Sequence, residues 1–375
     1  MRRSFYQQLA QDSISGKEIP RGIIRRVLTG ERVNLLRLLD AAFEVREKFT
    51  GRVVKIHILN NLQNGHCPED CHYCAQSKVS AADISRYPMK SDEEIIAEAK
   101  NAYRSGAFRY CMVFSGRCQS RKRIEHLAVL VRTIKKKYPI EVCVSPGRIS
   151  REDALILKKA GLDRLNHNLN TSRRYYSRIC TTHTYAERIQ TLRAAQDAGL
   201  QICSGVIVGM GETTDDVIDA ARALRKLHAD SIPVNFFLPI RGLPIKDARG
   251  LTPEYCLRVL CVYRLLNPRA EIRIAAGREF HLRSLEALAL YPANSLFLDG
   301  YLNVAGEDRM RTLRMIRDAG FTIQSEHKLD ELINKNGTEL PENAANRIVV
   351  KNLNKLRPAE KSQNKHSKKN RNRIK

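Results

Sequence analysis

Between residues 53 and 319, short apolar runs alternate with longer amphipathic stretches, and this alternation limits the fold more than any other feature of the chain. The runs fall at 53–59, 108–114, 140–145, 164–169, 201–207, 232–237, 271–275 and 295–298. Helical patterns separate them, for example at 91–104, 125–137, 185–198 and 214–227, with a last one at 308–319. Ser91 stands where a helix cap belongs. Strands joined by crossovers of this length predict an α/β protein with a parallel sheet. Eight such units predict a (β/α)8 TIM-type barrel. The competing doubly wound sheet lacks its usual support, because no GxGxxG follows the first strand.

Outside the barrel, expected over 51–325, residues 1–50 read as an N-terminal helical extension, with apolar residues at helical spacing in NLLRLLDAAFEVR. Residues 326–375 read as a C-terminal extension that is basic and, from about residue 361, disordered. Its last stretch, KSQNKHSKKNRNRIK, has Ile374 as its one apolar residue. The net charge of +25 raises a nucleic-acid partner as a possibility. However, the last 35 residues carry 11 Lys and Arg against 2 acidic residues, leaving +16 on the first 340. No aromatic and basic residues interleave as a specific nucleic-acid site would need, so none is expected. No apolar run approaches the length of a membrane span, and Arg2 and Arg3 lead into no apolar stretch. The expected compartment is the cytoplasm, where the ten cysteines would stay reduced.

Three of those cysteines crowd together in Cys67-Pro-Glu-Asp-Cys71-His-Tyr-Cys74, just after the first strand. That is the first βα loop, on the face where barrels place their chemistry. Three thiolates on one loop can converge on one metal centre. A structural zinc site usually takes four ligands; no fourth stands in register, although His66 and His72 lie nearby. A [4Fe–4S] cluster held by three cysteines keeps one iron open. Other polar residues sit on the strands, where a barrel interior should be apolar. Asn166, Asn168 and Asn170 alternate in LNHNLN, so all three can face the lumen, where they need polar partners. Arg109 and Cys111 alternate in FRYCMVF, and Cys143, Cys203, Asn235 and Arg273 fall on four further strands. One barrel would bring them around one cavity. There the cysteines and Arg273 could hold a second iron–sulfur cluster, although each cysteine alone reads as a small hydrophobe.

The spacing C-x3-C-x2-C, with an aromatic before the last cysteine, resembles the radical S-adenosylmethionine superfamily. The resemblance implies that Cys67, Cys71 and Cys74 hold a [4Fe–4S] cluster whose open iron chelates S-adenosylmethionine. It also implies that Tyr73 packs on or bonds the adenine. The blocks CPEDCHYCAQS, RYCMVFSGR, GLDRLNHNLNTS, YYSRICTTHTYAERIQTL, ICSGVIVGMGE and IRIAAGRE resemble, more narrowly, the biotin synthase family, over roughly residues 30 to 320. That resemblance implies a [2Fe–2S] cluster held by Cys111, Cys143, Cys203 and Arg273. It places Asn166, Asn168 and Asn235 against the substrate ureido ring or the cofactor ribose. Asn170 falls at a ribose contact where some members have aspartate. Arg109 matches a cofactor-carboxylate contact, and Ile207 lies in the stretch that flanks adenine. The implied reaction inserts sulfur from the inner cluster into dethiobiotin, after 5′-deoxyadenosyl radicals remove hydrogen. Implied partners are a reducing flavodoxin or ferredoxin-type electron donor, iron–sulfur assembly proteins and a second copy in a homodimer. Around the last strand the chain departs from the family pattern at Pro292, at Asp299-Gly300 and at Asn303-Val304. A rival reading is another member of the superfamily, against which the inner set argues.

Overall fold

The computed structural model describes residues 3–65 and 67–336; the basic tail and most of the C-terminal extension lie outside the described residues. Ten strands form one parallel sheet: β1 (Val53–Gln63), β2 (Arg109–Phe114), β3 (Glu141–Ser145), β4 (Arg164–Asn166), β5 (Gln201–Cys203), β6 (Val206–Val208), β7 (Ser231–Phe236), β8 (Glu271–Ile274), β9 (Ser295–Leu298) and β10 (Thr322–Ile323). The sheet closes because β1 pairs on one edge with β2, from His57 opposite Arg109, and on the other with β9, from Lys55 opposite Ser295. β10 extends the start of β1. With β5 and β6 sharing one stave, the closed part has the eight staves that the sequence pattern requires.

Two strands differ from their sequence reading, each for a local reason. The run 201–207 is broken at Ser204-Gly205, opposite Pro233 of β7. Proline offers no N–H to the ladder, and a Cβ on Gly205 would sit 2.0 Å from the Pro233 carbonyl oxygen, so only glycine lets the chains pass. The run 164–169 pairs only as far as Asn166; by Asn170 the backbone has turned left-handed, with φ 67°.

The crossover helices start where side chains satisfy their first N–H groups. At Asp92–Arg104, Ser91 accepts from the Glu94 N–H while the Glu94 carboxylate accepts from the Ser91 N–H. The same reciprocal pairing opens Arg151–Lys159, Tyr185–Asp197 and Thr214–Lys226. Three N-terminal helices, Phe5–Ile14, Arg21–Thr29 and Leu35–Thr50, pack on the helix Pro253–Leu266. That helix is thereby covered on both sides and buries every residue from Cys256 to Leu266. Cys256 and Cys261 are thus core side chains. Among the described residues, no helix is long and apolar enough to cross a membrane.

Candidate active site

A cavity opens at the C-terminal ends of the strands, and the loop 67–74 forms one of its walls. Two adjacent carboxylates fasten this loop to the segment 179–183. Asp70 accepts from the N–H groups of Thr181 (2.9 Å) and Thr182 (3.1 Å) and from both threonine hydroxyls. Glu69 accepts from Arg117 at 2.5 Å and from the Thr182 hydroxyl, and the His72 N–H bonds the Ile179 carbonyl at 2.9 Å. Burial opposes ionisation of Asp70, but the donors from Thr181, Cys180 and Thr182 outweigh it and hold the carboxyl well below the ordinary range. Cys67, Cys71 and Cys74 all line the cavity as free thiols. Burial pushes Cys67 up and Cys74 up to about 11. A hydrogen bond to Cys180, then burial, pushes Cys71 up.

Deeper in the barrel, the ladder itself assembles the second set. Cys111 on β2 lies opposite Cys143 on β3, and Cys203 on β5 lies opposite Asn166 on β4. The three thiols bury together with Ala275 and Phe297. Sharing of hydrogen bonds among the three pushes Cys143 up and Cys111 and Cys203 down, and the Arg273 charge also lowers the latter two. Arg273 Nη1 points at the Cys203 sulfur from 3.7 Å. Its Nη2 is anchored by the Ser231 hydroxyl (2.7 Å) and by Glu271 (2.6 Å), and its Nε has no partner. Burial disfavours this guanidinium, but Cys203 and Glu271 more than restore its charge.

Beneath these thiols the N-terminal ends of the strands form a charged floor around Glu271. Its carboxylate takes bonds from Arg109 (3.0 Å), His57 (3.0 Å), Arg273 and Ser231, with Arg164 at 3.5 Å. Burial alone would raise its pKa; Arg109, His57 and Arg273 reverse that and hold it well below the usual range. Arg109, expected at a cofactor-carboxylate contact, belongs to this floor: it donates from Nε (2.8 Å) and Nη2 (2.5 Å) to Glu141 and from Nη1 to Glu271, and it is not among the residues that line the cavity. Arg109 opens β2 and therefore points into the floor, one layer below Cys111, which shares its face of the strand.

The remaining expected residues do line the cavity. Asn166 Nδ2 reaches the Asn168 Oδ1 (3.2 Å) and the Cys203 sulfur (3.3 Å). The Asn168 Oδ1 also accepts from the Gly205 N–H (2.9 Å). The left-handed turn carries Asn170 to the Tyr73 hydroxyl, 2.5 Å from its Nδ2, so this third amide serves the cysteine loop. Asn235 spends both ends of its amide on backbone, on the Val206 carbonyl and the Ala276 N–H. Ile207 packs with Tyr73 and Phe237.

The chain matches the Radical SAM superfamily model over residues 64–224 and the Biotin and Thiamin Synthesis associated domain over 233–322. It is 53% identical over 299 residues to a biotin synthase of Magnetococcus marinus, covering 80% of this chain and 93% of that protein. It is 52% identical over 316 residues to a biotin synthase of Acaryochloris marina, covering 84% and 91%. The chain belongs to the biotin synthase family. Membership in this radical S-adenosylmethionine family brings iron–sulfur chemistry dependent on S-adenosylmethionine. Methylornithine synthase shares the fold, with a TM-score of 0.72 at 20% identity over 86% of this chain and 98% of that one. So does the FeFe-hydrogenase maturase HydG from Carboxydothermus hydrogenoformans, with a TM-score of 0.71 at 17% identity over 87% and 80%.

For a biotin synthase family member, both donor sets suit iron–sulfur groups: free thiols gathered in two places, with an unpartnered, fully buried Arg273 Nε beside the inner one. The sequence reading missed residues that stand behind the loop. Cys180, outside both donor sets, has its sulfur 3.7 Å from that of Cys71. His183 Nε2 lies 3.7 Å from the Cys71 sulfur, and Arg188 Nη2 lies 3.2 Å from the same ring nitrogen. The signal for Cys180 and His183 was the density of polar residues in SRICTTHT, just before the helix Tyr185–Asp197 that carries Arg188.

Proposed function

We propose that this protein converts dethiobiotin to biotin, with Cys67, Cys71 and Cys74 holding a [4Fe–4S] cluster and Cys111, Cys143, Cys203 and Arg273 holding a [2Fe–2S] cluster. The observation that carries this reading is the second set: three buried thiols and a guanidinium directed at one of them, in the cavity whose outer wall is the cysteine loop. When bound, the outer cluster with S-adenosylmethionine supplies 5′-deoxyadenosyl radicals, and the inner cluster supplies the sulfur atom.

The chain's own part is positioning and exclusion of solvent. Tyr73, held by Asn170, and Ile207 offer an apolar slot for adenine beside the loop. Asn166 and Asn168, between the two donor sets, present amides suited to a ribose or a ureido ring. Arg273 is held through Nη2 by Glu271 and Ser231, which leaves Nη1 and Nε for the inner cluster. Phe114, Phe237, Phe297 and Tyr301 line the cavity and keep water from the reacting carbon atoms. The electron comes from a donor of the flavodoxin or ferredoxin class, iron–sulfur assembly proteins rebuild the inner sulfide, and the enzyme works as a cytoplasmic homodimer. An anaerobic assay with dethiobiotin, S-adenosylmethionine and a low-potential reductant tests the reading. The expected products are biotin, methionine and 5′-deoxyadenosine. Cleavage of S-adenosylmethionine with dethiobiotin left unchanged, in protein carrying both clusters, would overturn it.

A further inference from the structure

Cys180 belongs to neither donor set, yet its sulfur touches that of Cys71, at 3.7 Å. The two segments cannot drift apart easily. The carboxylate of Asp70, next to Cys71 in sequence, binds the N–H groups of Thr181 and Thr182, next to Cys180. Cys71 faces the cavity, whereas Cys180 lies behind it with 1% of its surface exposed. Around the pair, His183 lies within 3.7 Å of both sulfurs and Arg188 lies behind His183. One sulfur lining the cavity, with a second held against it from behind, is the arrangement of an attacked and a resolving cysteine.

We propose that Cys71 and Cys180 form a reversible disulfide in the chain when its outer cluster is absent, with a small peroxide as the oxidant. This rests on the reading above in one respect, that Cys71 is a ligand of the outer cluster. The Cys71 thiol takes one oxygen from hydrogen peroxide, giving a sulfenic acid and one water. The Cys180 sulfur then attacks the Cys71 sulfur, the S–S bond forms, and the hydroxyl leaves as a second water with the remaining thiol proton. Two thiols lose two electrons and two protons, and the peroxide is reduced to two waters. The disulfide removes Cys71 from the ligand set, so the outer cluster cannot load. It also stops Cys71 short of the sulfinic and sulfonic acids, from which a simple thiol reductant gives no return. A dithiol reductant reopens the bond by exchange and restores the ligand.

The test uses the full-length chain, stripped of iron and exposed to hydrogen peroxide. Peptide mapping without reduction should show residues 71 and 180 cross-linked, and iron loading of the loop should fail until dithiothreitol is added, then return in full. Cys180→Ser, first shown to load the loop cluster as wild type does, should lack the cross-link. After the same peroxide and dithiothreitol it should regain little loading, with Cys71 found as sulfinic or sulfonic acid. A cross-link from Cys71 to Cys67 or Cys74 would overturn the proposal, as would full recovery in Cys180→Ser. Biotin formation enters none of these readouts, so the substrate assignment fails or stands separately.

Discussion

The loop 67–74 and the inner set of Cys111, Cys143, Cys203 and Arg273 present similar donors by opposite routes. The loop needs no barrel register to bring its thiols near one another; eight consecutive residues contain all three. What the fold adds is a fastening, through Glu69 and Asp70, to a segment more than a hundred residues away. The inner set has no local spacing at all. Its members come from β2, β3, β5 and β8, and only strand pairing makes them neighbours. Orientation also differs: hydrogen bonds to a rim segment hold the loop, whereas a buried carboxylate anchors Arg273 from below. Loss of a floor residue should therefore be felt throughout the barrel, and loss of a loop fastener mainly at the rim.

The strongest attempt to break this contrast is Glu271→Ala. It leaves Arg109, Arg273 and Arg164 buried around an empty position, and removing one partner of such a network costs about 3–5 kcal/mol. Urea denaturation of the metal-free protein should show that loss as a lowered midpoint; a change within experimental error would mean the floor does not hold the barrel together.

Asp70→Asn should cost less, about 1–3 kcal/mol for its lost hydrogen bonds, and should depend on pH. The folded-state pKa of Asp70 is depressed, so its stabilisation is fully present above the unfolded value of about 4 and is lost as the pH falls through and below it. Stability of wild type and variant, compared at several pH values, should differ by a constant amount in neutral buffer and converge in acid. A difference that widened in acid would contradict the assignment.

The smallest effect is expected at Cys118, an exposed cysteine outside both sets. Cys118→Ser should leave iron and sulfide content unchanged, and any loss of iron would show that a donor has been left out.

The fold was legible because eight apolar runs and their crossovers leave few topologies open, and Cys67, Cys71 and Cys74 were legible because their spacing is contiguous. The inner set could be read only from its joint placement around one barrel and from the motif resemblance, since nothing local tells Cys143 from a core cysteine such as Cys261. The position of Arg109 in the floor was not legible, because period-two alternation gives the face of a strand, shared with Cys111, but not the layer. Cys180 belongs to no motif, and its contact with Cys71 is created by hydrogen bonds to the Asp70 carboxylate that no spacing rule encodes. Asn170 was grouped with Asn166 and Asn168, but its left-handed backbone sends it to Tyr73 instead.

The proposed function requires two independent iron–sulfur centres. Mössbauer spectroscopy of anaerobically reconstituted wild type, Cys71→Ala and Cys143→Ala tests it most directly. Wild type should show a four-iron and a two-iron species. Cys71→Ala should lose only the first, and Cys143→Ala only the second. A single species in wild type, or the same signal lost in both variants, would contradict the account.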